Sequence, residues 1–178
     1  MQCPVDFLGT SSDLRDCLFW NQIECFFKDS LYRYDAILLW IGVHAKNAEN
    51  GHGYYEESDY VQFKDNFIEL ITYLRQKQKN LLVMDVFDSV KPRFSKNISI
   101  FLSKIGVHFK CKIEPQREVL TRRKNEIIRF CCEHTDTKFV SINSIMSKTK
   151  YNRVDEIHYS RESDSFVCDI IKQNLGAI

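Results

Sequence analysis

The chain has 178 residues, of which 44% are hydrophobic and 28% charged, and its formal net charge is +1. This composition is that of one folded globular domain, and the nearly neutral balance gives no indication of a generally basic nucleic-acid-binding protein. No apolar run is long enough to span a bilayer, and the N-terminus lacks the pattern of a signal peptide. We therefore expect a single domain over residues 1–178, located in the cytoplasm, with no nucleic-acid or membrane partner.

Short apolar runs predict the strands. They are continuous rather than alternating, which is typical of strands that are covered on both faces in a parallel sheet. The runs lie at residues 5–8, 36–41 (AILLWI), 81–86 (LLVMDV) and 139–142 (FVSI), with a further candidate at 107–113.

Helices are predicted between these runs, at residues 13–30, 59–76, 116–133 and 161–175. The second helix has Ser58 as its predicted N-cap and carries four apolar residues on one face: Phe67, Ile68, Ile71 and Leu74. The third helix carries a basic run that we expect on its solvated face: Arg122, Arg123 and Lys124. The last helix ends before Gly176 and has four inward-facing apolar residues: Phe166, Val167, Ile170 and Ile171.

This alternation of strands and helices predicts a three-layer α/β domain, with a flavodoxin-like, mostly parallel sheet and helices on both faces. Ligands bind beyond the carboxyl ends of the strands in such sheets. The loops at this edge cover residues 9–13, 42–58, 87–94 and 143–158. Asp85 and Asp88 end the third strand at the same edge, where a part in a site and a purely structural role are both open.

The seven cysteines are odd in number and scattered along the chain, and no C-x-x-C pair is present. A disulfide framework and a zinc site are therefore not indicated. We expect reduced thiols, most of them on apolar faces of the core, and no metal.

Asp155 and His158 stand three residues apart, just before the last predicted helix. A carboxylate at this spacing can hold an imidazole in one tautomer and stabilise the imidazolium that forms when the histidine takes a proton from a nucleophile. On spacing alone, a solvated loop pair or a helix cap is the more common structure for D-x-x-H.

Two glycine-containing strand ends add context to this pair. One run ends in Trp40-Ile41-Gly42-Val43-His44 and another in Phe7-Leu8-Gly9-Thr10-Ser11-Ser12, and glycine lets a ligand approach the backbone closely. Strand-Gly-x-Ser, strand-Gly-x-His and D-x-x-H together resemble the SGNH (GDSL-type) hydrolase family. The most specific stretch is the C-terminal VDEIHYSRESDSFVCDIIKQNL, followed by YDAILLWIGVHAKN with its helix DYVQFKDNFIELITYLRQ.

The resemblance implies a Ser-His-Asp triad in which His158 is the base and Asp155 the acid, with Gly42 beside the oxyanion hole. His44 stands where the family's G-x-N-D block has an asparagine that donates to the oxyanion, and histidine can also donate a hydrogen bond. No metal or organic cofactor is implied.

The segment from Gly9 to Ser12 aligns with the family in two ways. As the first block, G-D-S, it has Thr10 in place of the aspartate and Ser11 as the nucleophile. As the second block it supplies Gly9 to the oxyanion hole, and the nucleophile strand is missing. The interval between Gly9 and Gly42 shows little sign of another strand, which favours the second alignment. The cost of removing a central strand favours the first.

The function implied by the resemblance is a serine esterase or acyltransferase that acts on O-acyl substrates, O-acetylated carbohydrates among them. Ser11 would attack the ester carbonyl, and His158 would take its proton and return it to the leaving alcohol. The partner would then be a small-molecule or glycan ester. The alternative is a catalytically silent relative that binds a glycan or a protein. The oligomeric state cannot be read from the sequence.

Overall fold

Three short parallel strands form the main sheet in the computed structural model of the protein, which describes residues 17–28, 34–41, 56–88, 90–91, 93–113, 115–155 and 158–176. The strands are β1 (Ile37–Leu39), β2 (Leu81–Met84), β3 (Val90–Lys91), β4 (Lys112–Ile113) and β5 (Lys138–Val140). The main sheet has the order β1-β2-β5, and β3 and β4 form a separate antiparallel pair. The predicted α/β class, with a parallel sheet packed against helices, is confirmed.

All four predicted helices are present, with ends that differ by a few residues. The helices are α1 (Cys17–Lys28), α2 (Glu57–Lys77), α3 (Lys96–Lys104), α4 (Pro115–His134), α5 (Ile142–Met146) and α6 (Ser163–Leu175). The prediction of Ser58 as the N-cap of α2 was wrong. Glu56 is the N-cap, and its backbone N–H donates to the Asp59 carboxylate over 2.8 Å. Gly176 does end α6, with a φ of 84° that L-residues rarely adopt.

The core lies on either side of β2, whose four residues are all buried. Leu81 and Val83 pack in a cluster with apolar side chains of α1, α2 and α4. Leu82 and Met84 point the other way, into a second cluster that includes side chains of α5 and α6. Full burial of such a side chain contributes about 1.5–3 kcal/mol, so the continuous apolar run that predicted this strand also explains its central place.

Helix α6 runs antiparallel to the strands. Its C-terminal end lies beside the beginnings of β2 and β5, because the Asn80 side chain donates to the Leu175 carbonyl over 3.4 Å and the Lys138 ammonium donates to the Asn174 carbonyl. The beginning of α6, and the segment just before it, therefore lie toward the carboxyl edge of the sheet.

Two predicted strands need correction and one is not covered. Residues 107–113 do not join the parallel sheet, since only Lys112–Ile113 is extended and it pairs with β3. The run at 139–142 ends early because Ile142 begins α5, where the Ser141 hydroxyl accepts the Ser144 N–H. The predicted strand at 5–8 lies outside the described residues. No helix within the described ranges is long and apolar enough to cross a membrane.

Candidate functional site

The carboxyl ends of the three parallel strands meet at one edge of the sheet, as the sequence predicts. Trp40 follows β1, and its indole N–H donates to the Asp85 carbonyl, just after β2, over 2.9 Å. The Phe87 ring lies 5.2 Å from the Trp40 ring and 5.3 Å from that of Tyr159. Aromatic contacts thus connect the ends of β1 and β2 to the segment that precedes α6.

Asp155 and His158 lie in that segment, and we call its described residues, 153–155 and 158–159, the 153–159 hairpin. Arg153 and Tyr159 form an antiparallel bridge at its base, and the Val154 N–H donates to the His158 carbonyl over 2.9 Å. The bridge and this hydrogen bond bring the two candidate side chains together within a few residues of the start of α6. The position predicted from the sequence, at the carboxyl edge of the sheet, is therefore correct for this pair.

The carboxylate of Asp155 holds the imidazole of His158 by its Nδ1 atom. The distances from Nδ1 to the two carboxylate oxygens are 2.8 and 2.9 Å, and the His158 backbone N–H donates to the same carboxylate over 2.8 Å. The His158 side chain is 68% exposed and that of Asp155 is 36% exposed. With its proton on Nδ1, the ring has Nε2 as the nitrogen that can accept a proton from a nucleophile.

The remaining candidate residues lie outside the described residues. These are the nucleophile Ser11 and the oxyanion candidates Gly9, Gly42 and His44. Their roles therefore stay predictions, and so does the choice between the two alignments of the segment from Gly9 to Ser12.

A buried arginine supports the base of the hairpin. The Arg153 guanidinium lies 4.0 Å from the centroid of the Tyr159 ring and 5.1 Å from that of Phe87. Burial lowers the pKa of Arg153 and raises the pKa of Tyr159. A cation held between two rings in a region of low dielectric gains more from them than it would in water. No sequence pattern indicates this role, because Phe87 is far away along the chain.

Asp85 and Asp88 join the end of β2 to the beginning of α5. Buried Asp85 accepts hydrogen bonds from the Ser141 hydroxyl, over 2.6 Å, and from the Asn143 N–H, over 2.9 Å. The Asn143 side chain donates to the Asp88 carboxylate over 2.5 Å and accepts the Asp88 N–H over 3.1 Å. Burial raises the pKa of Asp85 more than its hydrogen bonds lower it. Of the two roles left open by the sequence, these contacts favour the structural one.

The predicted solvated face of α4 is correct for Arg122, which is exposed, but it needs correction for the next two residues. Lys124 is buried, and its ammonium lies 5.5 Å from the centroid of the Phe63 ring of α2. Arg123 lies over the Tyr60 ring, 4.1 Å from its centroid, and forms an ion pair with Glu57. The long side-chain stems pack between α2 and α4, which the charge pattern of α4 does not reveal.

No group of three or more His, Cys, Asp or Glu side chains is placed to hold a metal ion in the described part of the chain. The free thiols include Cys25, Cys111 and Cys168, together with the buried Cys131 and Cys132. Cys25 and Cys168 are exposed, so the predicted core location is wrong for these two.

A cavity of about 370 Å³ lies near this region, between α3 and the beginning of α6. Ser103 and His108 line it from one side, and Tyr151, Ser160 and Phe166 from the other. Neither Asp155 nor His158 is among its lining residues. The exposed pair therefore faces a different surface.

The sequence matches no known family model, and no curated protein is similar to it.

Proposed function

We propose that the chain is a serine esterase or acyltransferase that acts on O-acyl substrates, with His158 as the base and Asp155 as its carboxylate partner. The observation that carries this proposal is the contact between the Asp155 carboxylate and His158 Nδ1, at 2.8 Å, between two solvent-accessible side chains at the carboxyl edge of the sheet. A solvated loop pair needs no such location, whereas a catalytic pair in an α/β sheet does.

The finer fold that we propose is the three-layer, flavodoxin-like arrangement of SGNH hydrolases. The spatial order of β1, β2 and β5 follows the chain, as in one wing of a doubly wound sheet. The two core clusters on opposite sides of β2, and the antiparallel return of α6, agree with helices on both faces.

The proposed reaction is acyl transfer through a covalent intermediate. Ser11 Oγ attacks the ester carbonyl while His158 Nε2 takes its proton, and the leaving alcohol then receives that proton. Water or a second alcohol takes the acyl group in the reverse sequence of proton transfers. Backbone N–H groups near Ser11 and Gly42, with the His44 side chain, stabilise the oxyanion. The end of β1 supports a position for Gly42 and His44 at the carboxyl edge of the sheet, because Trp40, two residues before Gly42, lies beside Asp85 at that edge.

Fluorophosphonate labelling of the full chain tests the nucleophile, since the reagent forms a stable adduct with an activated serine. We expect one adduct, located at Ser11 by peptide mass spectrometry and absent from His158→Ala. An adduct at another serine would contradict the assignment of Ser11 as the nucleophile but not the proposal of a serine esterase or acyltransferase. A folded protein with no adduct at any serine would contradict the proposal and favour the binding module that the sequence left as the alternative.

Substitution of the carboxylate tests the pair itself. Asp155→Asn keeps the shape of the side chain but loses the charge that orients the imidazole, so we expect hydrolysis of a p-nitrophenyl ester to slow by about 10³- to 10⁴-fold. The matched control is Asp169→Asn on the exposed side of α6, which should leave the rate unchanged. Equal rates for Asp155→Asn and the unmodified protein would rule out a catalytic Asp155–His158 pair.

A further inference from the structure

The segment between β2 and α4 is the most basic part of the chain. Residues 89–113 contain no aspartate or glutamate, whereas the whole chain has a net charge of only +1 and the rest is therefore negative. All of the basic side chains in this segment are exposed: Lys91, Arg93, Lys96, Lys104, Lys110 and Lys112. The segment folds as β3, α3 and β4, so these charges lie together on one β-α-β segment outside the main sheet.

The same β3-α3-β4 segment exposes an apolar stripe. Ile98, Phe101 and Ile105 are 48%, 60% and 56% exposed, and their spacing of three and four residues places them along one side of α3 and its C-terminal end. Phe94 and Val107 are exposed next to them. These five residues are half of the large hydrophobic side chains that are exposed in the described part of the chain, while buried Ser99 faces the protein.

Pairing of β3 with β4 concentrates the positive charge. Lys91 lies directly opposite Lys112 in the antiparallel ladder, and like charges in directly opposite positions destabilise a sheet. An anionic partner would relieve this repulsion.

We propose that this basic apolar face, formed by residues 91–112, docks on an anionic membrane surface. Phosphate and carboxylate headgroups would neutralise the lysines and Arg93, while Ile98, Phe101 and Ile105 enter the boundary between headgroups and acyl chains. A nucleic acid would use the charges and could stack on the phenylalanines, but it offers nothing to the two isoleucines. The aliphatic members of the stripe therefore favour a lipid surface.

The proposed face adjoins the 153–159 hairpin. The Asn152 side chain donates to the Val107 carbonyl over 2.7 Å and accepts the Phe109 N–H over 3.2 Å. Buried Asn152 immediately precedes the hairpin, so docking would hold Asp155 and His158 close to the membrane surface. The inference itself concerns binding alone and does not rest on the proposed function.

Co-sedimentation of the full chain with vesicles tests the proposal. We expect binding to phosphatidylcholine vesicles that contain phosphatidylserine, little binding to phosphatidylcholine alone, and release by high salt. The double variant Ile98→Gln/Phe101→Gln should weaken binding by about tenfold or more, because it removes the inserted side chains. Its matched control is Val119→Gln/Phe130→Gln, two equally exposed residues of α4, which should bind like the unmodified protein.

Two double charge-reversal variants measure the electrostatic contribution to vesicle binding separately from the contribution of the apolar stripe. Lys104→Glu/Lys110→Glu should weaken binding by about tenfold or more, whereas Lys28→Glu/Lys172→Glu, which reverses the same number of exposed charges on α1 and α6, should have a much smaller effect. Circular dichroism establishes that each variant is folded. Absence of vesicle binding, equal loss in test and control variants, or binding to single-stranded RNA or an acidic peptide without vesicle binding would each overturn the proposal.

Discussion

Asp85 shows how a single side chain joins two parts of the sheet edge. Its carboxylate accepts hydrogen bonds from Ser141 and Asn143, which follow β5, although 58 residues separate Asp85 from Asn143. Burial nevertheless raises its pKa, so the folded protein holds the Asp85 proton more tightly than the unfolded chain does. The contribution of this group to stability is therefore greatest below about pH 4 and is lost as the pH rises through the raised pKa.

The variant Asp85→Asn should remove this pH dependence. The amide has a similar shape and does not titrate, so the free energy of unfolding of the unmodified protein should fall relative to the variant between about pH 4 and pH 7. Urea unfolding at a series of pH values measures this difference, with the exposed Asp65→Asn as the control. If the unmodified protein instead gains stability over this range, hydrogen bonding to the ionised carboxylate outweighs its burial.

The distance between partners along the chain decided which site residues could be predicted. The contact between Asp155 and His158 was predictable because the two residues are only three apart in the chain. Arg153 was not predictable, because Phe87, one of the rings beside its guanidinium, belongs to the segment after β2. Asp85 and Asp88 could be assigned to the correct edge, but their structural role depends on Asn143, a residue that carried no pattern of its own.

At the scale of elements, the 153–159 hairpin has one buried cation at its base, Arg153. The Arg153 guanidinium packs against Phe87 and Tyr159, and its planar group suits stacking on rings in a way that a lysine ammonium does not. Two backbone hydrogen bonds report on the hairpin, since the Val154 N–H donates to His158 and the Ser160 N–H donates to Asn152. Local opening of the hairpin would expose both amides.

Replacing Arg153 with lysine should therefore loosen the hairpin more than the sheet. We expect Arg153→Lys to lose about 1–2 kcal/mol and to accelerate hydrogen exchange at Val154 and Ser160 beyond any change at Leu82 in β2. Exchange followed by NMR measures all three amides. The exposed Arg161→Lys is the control and should exchange like the unmodified protein. A uniform acceleration at all three amides would mean that Arg153 supports the whole fold rather than the hairpin.

The elements that the sequence predicted are those with a buried apolar pattern. The continuous run of β2 and the periodic faces of α2 and α6 pack into the core, and their signals were sufficient. Helix α3 was not predicted because Ile98, Phe101 and Ile105 face solvent. Within the described residues, no other side chain buries this apolar stripe. The two-residue strands β3 and β4 are too short to carry a period.

At the scale of the whole molecule, positive charge is concentrated in one continuous segment of the chain, whereas the core is built from elements that are distant in sequence. The near-neutral total conceals an exposed basic segment, residues 89–113, and a remainder of the chain that is negative. The core, by contrast, is shared among elements distant in sequence. Cys131 and Cys132 of α4 belong to the same cluster as side chains of α1, α2 and β2. Access to these two thiols therefore reports on the unfolding of most of the molecule.

Thiol alkylation should distinguish this core from the surface. Burial raises the pKa of Cys131 to about 11 and that of Cys132 to about 12, so at about pH 8 few of these thiols are in the reactive thiolate form. Exposed Cys25 and Cys168 should react with iodoacetamide directly in the folded protein, without prior unfolding, and they serve as internal controls. Cys131 and Cys132 should react only through unfolding, with a urea dependence that matches that of the circular dichroism signal. Modification of Cys131 at the rate of Cys25 in native buffer would show that α4 separates from the core without global unfolding.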